Sequence, residues 1–97
     1  MRSGETPPAA QAGTIESMDC LVTVTGSGEG RRIEIAGGGS SRVRSAMETK
    51  IVQILEELDS AGTDNILVSV QDNGALDLVL GARVEAAYLR YRETAGK

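Results

Sequence analysis

The sequence predicts an α+β fold, a small two-layer ββαβα domain with a mostly antiparallel sheet and two helices on one face. Three observations predict it. Two runs with period-two alternation, from Cys20 to Thr25 and from Arg31 to Ala36, come before any helical pattern. A long apolar stripe at three- and four-residue steps then follows a Gly-rich connection. Finally a third short β-branched run, from Asn65 to Gln71, precedes a second stretch of helical period. Two helices packed on one face of such a sheet is the simplest arrangement that buries both stripes.

The chain divides into an expected disordered arm over residues 1–12 and a folded domain over 13–97. Pro7-Pro8 with small and polar neighbours supplies no core-forming residues to the arm. In the first strand Val22 and Val24 face opposite to Leu21, Thr23 and Thr25. Gly26, Gly28 and Gly30 then supply turn geometry, and Ile33 and Ile35 line one face of the second strand, so the two read as a hairpin. A nucleotide-binding glycine loop passes from strand directly into helix, whereas this one passes into another strand.

Gly37-Gly38-Gly39-Ser40-Ser41 leads into a helix from about Arg42 to Ala61. Val43, Met47, Ile51, Ile54, Leu55 and Leu58 form its apolar stripe, Ser40 or Ser41 can cap it, and Gly62 stands where a C′ residue would stop it. The third strand places Ile66, Val68 and Val70 on one face and Leu67 on the other. Asp72-Asn73-Gly74 ends it. That triplet is also a hairpin signal, which would make Ala75 to Leu80 a strand. However, Leu76, Val79, Leu80, Val84, Ala87, Tyr88 and Tyr91 keep a helical period over more than four turns, so a helix from about Leu76 to Arg92 is expected, weakened by Gly81.

Composition bounds the function. The chain has 97 residues, no Phe or Trp and only two Tyr, so its core rests on aliphatics and is small. A net charge of −4 with no clustered basic face argues against nucleic acid. No apolar run approaches the length needed to span a bilayer and no signal-peptide core is present, so neither a membrane nor export is expected and a cytoplasmic location is. A single cysteine, Cys20, excludes an internal disulfide and a multi-thiolate metal site.

With no His, the chain offers no Ser-His or Cys-His pair to activate a nucleophile, and no catalytic or metal-ligating set emerges. One hydroxyl still attracts notice. Ser17 lies in Gly13-Thr14-Ile15-Glu16-Ser17-Met18-Asp19, where the arm meets the first strand and another enzyme could reach it. The ordinary reading of a serine between two acids at the start of an element is a local cap or turn former. A second feature is the Gly-rich loop with Arg42 and Arg44 in the first turn of the following helix. It reads as a Ser-capped connection or, alternatively, as an anion contact.

The segment A-G-T-I-E-S-M-D, together with D-N-G-A-L-D-L-V-L-G-A-R-V-E-A-A near the C-terminus, resembles the citrate lyase acyl carrier protein (gamma subunit) family over nearly the whole domain. The resemblance implies a non-catalytic carrier subunit of the complex that converts citrate to acetate and oxaloacetate. In it Ser17 would hold, through a phosphodiester, a phosphopantetheine-like group, 2'-(5''-phosphoribosyl)-3'-dephospho-coenzyme A, bearing the acetyl or citryl thioester. Gly13 and Thr14 would keep the attachment segment open, Glu16 and Asp19 would be recognised by the prosthetic-group transferase, and Arg42 and Arg44 could meet the group's phosphates. The implied partners are that transferase and the citrate lyase transferase (alpha) and lyase (beta) subunits. Asp72, Gly74, Asp77, Arg83 and Glu85 match the family's C-terminal motif as turn, cap and helix-surface positions, whereas Met18, Cys20 and Gly81 depart from the family pattern. Two alternatives stand beside this reading: a carrier for a related citramalate or malonate enzyme, and an unmodified small protein-interaction module.

Overall fold

The structure, a computed structural model, describes residues 9–95. Its elements run β1 (Ala9–Gly13), β2 (Asp19–Gly26), β3 (Arg32–Gly37), α1 (Ser41–Asp59), β4 (Ile66–Asn73) and α2 (Asp77–Ala95). The four strands form one sheet in the order β1-β2-β4-β3. β1–β2 and β2–β4 are antiparallel and β3–β4 is parallel. The α+β class and the mostly antiparallel sheet are those the sequence predicts, with one strand more.

Side-chain pattern decides the strand order. β2 and β4 each bury a continuous row, Cys20, Val22 and Val24 in one and Ile66, Val68 and Val70 in the other. Their register sets Val22 beside Val70 and Val24 beside Val68, so the two strands richest in buried β-branched residues take the centre. β3 alternates exposed Arg32 and Glu34 with half-buried Ile33 and Ile35. Charged residues suit an open edge, and β3 lies there.

The expected hairpin between the second and third strands is therefore corrected. β2 and β3 follow each other in sequence, but β4 separates them in the sheet. The chain leaves β3 through α1 and returns as β4, parallel to β3, which is a βαβ crossover.

The expected arm over residues 1–12 is also corrected. Ala9–Gly13 forms β1, paired from Ala9↔Thr25 to Gly13↔Leu21; residues 1–8 lie outside the described residues. Ala and Gln have little intrinsic preference for strand, so propensity hid this element. What it provides is smallness: Ala10 and Ala12 are buried where α2 packs on β1 and β2.

Both helices turn most of their predicted stripes inward, with the exception in α1 of Val43, in the first turn, which is exposed. Met47, Ile51 and Leu55 of α1, and Leu80, Val84, Ala87 and Tyr88 of α2, join the sheet's buried row in one core, each larger aliphatic stabilising by about 1.5–3 kcal/mol. Ser40 caps α1, its hydroxyl accepting from the Val43 N–H at 3.2 Å. Gly62 is not the left-handed stop that was expected, since α1 ends at Asp59 and Gly62 lacks a positive φ. A Cβ at Gly62 would lie 2.2 Å from the Asp59 carboxylate and 2.8 Å from the Tyr88 hydroxyl, so a side chain there would have to push that carboxylate aside. The Tyr88 hydroxyl donates to Asp59 at 3.0 Å and ties α2 to the end of α1. Leu76 lies outside α2 and is exposed, unlike the rest of its predicted stripe.

This topology places three connections at one end of the sheet. Asp19 pairs with Asn73 and Gly37 pairs with Asp72, so loops 14–18, 38–40 and 74–76 meet there, and both helices start from that end.

Candidate functional site

Loop 14–18 joins β1 to β2 and holds Ser17 at its tip. The Asp19 N–H donates to the Glu16 carbonyl at 3.2 Å, closing a four-residue turn with Ser17 and Met18 at its centre. Met18 has φ +63°, at the position of a turn where Gly or Asn is usual. Ser17 is exposed, and its hydroxyl makes no hydrogen bond among the described residues. It is therefore reachable from outside.

The loop itself is held from two sides. On one, Arg83 of α2 donates from Nε to Asp19 Oδ1 at 3.0 Å and from Nη2 to Asp19 Oδ2 at 3.2 Å. The Asp19 carboxylate also accepts from the Cys20 N–H at 2.7 Å and the Thr14 hydroxyl at 2.9 Å. Thr14 Oγ1 in turn accepts from the Glu16 N–H at 3.1 Å. These donors, Arg83 foremost, hold the Asp19 carboxyl at about 2, well below its usual range. On the other side Asn73 of β4 accepts from the Met18 N–H at 2.7 Å and donates its side-chain amide to the Ile15 carbonyl at 2.9 Å.

Gly13 ends β1 at φ +95°, where an added Cβ would lie 1.9 Å from the Cys20 carbonyl oxygen and 3.1 Å from Arg83 Cδ. Its lack of a side chain permits both the bend and the passage of Arg83 over it.

The structure thus brings Gly13, Thr14, Glu16, Ser17 and Asp19 together, in unequal situations. The Glu16 carboxylate is exposed and unpaired among the described residues, whereas the Asp19 carboxylate is committed within the chain. Arg42 and Arg44 stand at the start of α1, at the same end of the sheet. Arg44 donates to the Gly37 and Gly39 carbonyls at 3.3 and 2.6 Å, so the Gly-rich loop turns carbonyls toward that arginine. Arg42 is exposed, with no such partner among the described residues.

Asn73 was not singled out as a site residue by sequence reasoning, and Arg83 was read there only as a helix-surface position of the family's motif, not as a partner of Asp19. Asn73 lay in a visible turn triplet. Arg83 contacts a residue 64 positions away, which no local pattern reveals. Cys20, adjacent to the site, is fully buried, and burial pushes its thiol up to about 11.

A small α+β domain that holds an exposed, unbonded serine hydroxyl at the tip of a braced hairpin loop has the form expected of a carrier protein. Comparison with known proteins gives the same class. The profile of the family described as "Malonate decarboxylase delta subunit" matches residues 8–91. "Citrate lyase acyl carrier protein 2" of Salmonella typhimurium is 42% identical over 86 residues, covering 87% of this chain and 84% of that protein. "Citrate lyase acyl carrier protein" of Clostridium perfringens is 38% identical over 85 residues, covering 87% and 81%. That of Lactobacillus acidophilus is 35% identical over 94 residues, covering 96% and 93%. The chain belongs to this family of acyl carrier proteins. No helix among the described residues is long and apolar enough to cross a membrane.

Proposed function

We propose that this chain is the acyl carrier subunit of a cytoplasmic citrate lyase complex and that Ser17 is its attachment residue. The observation that carries the reading is the Ser17 hydroxyl, exposed and without a hydrogen-bond partner among the described residues at the tip of loop 14–18, in the position the family resemblance assigns. The implied group is 2'-(5''-phosphoribosyl)-3'-dephospho-coenzyme A, joined through a phosphodiester. The site fits such a group: an open hydroxyl admits a bulky substituent without displacing any internal bond. When bound, the group supplies the thiol that bears the acyl load. The chain's own residues hold the attachment point and leave it accessible.

The surroundings suit successive docking. Ile15, Met18 and Leu76 are exposed by 64%, 61% and 62%, which gives the Ser17 end an apolar surface that a partner can cover. Glu16 serves as a contact for the prosthetic-group transferase. Arg42, with Arg44 committed to the Gly-rich loop, is the better placed of the two for the group's phosphates. The alpha and beta subunits would engage the loaded end in turn, with tethering raising the acyl group's effective concentration at each.

Intact mass tests the reading. After co-expression with the modification enzymes, the wild-type chain is expected to gain one prosthetic group and Ser17→Ala none. An unchanged mass for the wild type, or the same gain in both, contradicts it. The family profile's description favours a second reading, a malonate decarboxylase carrier with the same attachment. Reconstituting the modified chain with each enzyme's catalytic subunits separates the two.

A further inference from the structure

We propose that Arg83 is a positioning residue for Ser17, acting through Asp19 to hold loop 14–18 in a single shape; this rests on the carrier reading above. Arg83 is firmly based: it lies in α2 between Leu80 and Val84, both buried, on a helix that packs on β1 and β2. Its fork meets Asp19 with two hydrogen bonds, at 3.0 and 3.2 Å, and such a bidentate pair fixes direction as well as distance. The connection continues from Asp19 to the Thr14 hydroxyl and from Thr14 to the Glu16 N–H, one residue before Ser17. Asn73 fastens the loop on the opposite side, at Ile15 and Met18. Between these fixed points Ser17 is left with its side chain outward and unbonded. The bare Cα of Gly13 gives the Arg83 stem its path to Asp19.

The pair acts locally. The Arg83 side chain is 39% exposed and that of Asp19 14%, so solvent screens the pair in part and its contribution to global stability is modest. Its effect falls on the fraction of time the loop presents Ser17 in the shape a modifying enzyme accepts. Lowering that fraction weakens apparent affinity in proportion and leaves the bound reaction unchanged. Asp19 on this account is a brace, not a residue the transferase touches.

The test measures initial rates of modification of the full chain by the prosthetic-group transferase with its donor, at a temperature where every variant is folded. Arg83→Gln and Asp19→Asn are each expected to raise KM for the chain about tenfold with kcat little changed. Arg83→Lys should fall between Arg83→Gln and wild type. The double variant Arg83→Gln/Asp19→Asn should be no worse than Asp19→Asn alone, because both substitutions break one connection. Amide exchange at Glu16 and Asp19 should quicken in the same variants while Val22 and Val70 in the core stay protected, a pattern that general destabilisation does not give. Arg83→Gln with wild-type KM beside an impaired Asp19→Asn would overturn the proposal by making Asp19 a direct contact. Effects that multiply in the double variant would overturn it as well. A wild-type chain that accepts no group removes the carrier reading, and this inference with it; equal modification of wild type and variants removes the inference alone.

Discussion

Two hydroxyls share the loop between β1 and β2, and their surroundings assign them different work. The Thr14 hydroxyl donates to Asp19 and accepts from Glu16, so esterifying it would remove the first bond and weaken the second. Ser17 has nothing to lose. Gly13, at the loop's root, allows no side chain: Gly13→Ala would set a methyl group against the Cys20 carbonyl at φ +95°. It is expected to lower stability by at least about 2 kcal/mol, measurable by urea unfolding. Cys20 is the residue whose neighbourhood misleads. It follows Asp19 and lies near the site, yet its buried thiol, raised to about 11, is expected to resist alkylation at pH 8 in the folded chain and to react once urea unfolds it. Rapid labelling of the native protein would contradict that burial. At this scale the sequence made Ser17 legible only through family resemblance, because a serine between two acids is by itself an ordinary turn former. The role of Arg83 was not legible, because its partner is supplied by tertiary packing.

Among the elements, α2 contains a weakness that nothing inside the chain demands. A Cβ at Gly81 would meet only Ile54 Cδ1 at 3.5 Å, an ordinary contact, and Gly81 has no positive φ. Gly81→Ala is therefore expected to stabilise the fold by about 1 kcal/mol, seen as a higher Tm. A loss of stability would mean that the groove between α1 and α2 has no room for a methyl group. Periodicity made both helices readable, since each keeps its apolar stripe for several turns. It misled at Leu76, because the Asp72 side chain accepts from the Gly74 and Ala75 N–H groups and this turn delays the helix start to Asp77. β1 was hidden for the opposite reason: its alanines matter for the space they leave to α2, and propensity does not register space. The hairpin expectation failed on strand pairing, which depends on which rows bury best and not on which strands adjoin in sequence.

Across the whole molecule, carboxylates brace both ends of the sheet. Asp19 joins Arg83 at the Ser17 end, while Glu56 pairs with Arg31 and Asp59 accepts from Gly62 and Tyr88 at the other. All three are held below their ordinary values, mainly by these hydrogen bonds. A carboxylate with a lowered folded pKa stabilises the fold above its unfolded value, and that stabilisation is lost as pH falls toward the folded one. Stability should therefore be level near neutrality and decline from about pH 4.5 down to about 2, as followed by the urea midpoint. Asp19→Asn should flatten part of that decline. The same architecture assembles the candidate site at one end: the crossover through α1 and the antiparallel pairing of β2 with β4 bring loops 14–18, 38–40 and 74–76 together. The most direct test of the central claim is fragment-ion localisation of the prosthetic group on the modified chain. The added mass is expected on Ser17 and none on Thr14, three residues away and equally hydroxylic. A group found on Thr14, or on any residue outside loop 14–18, would contradict it.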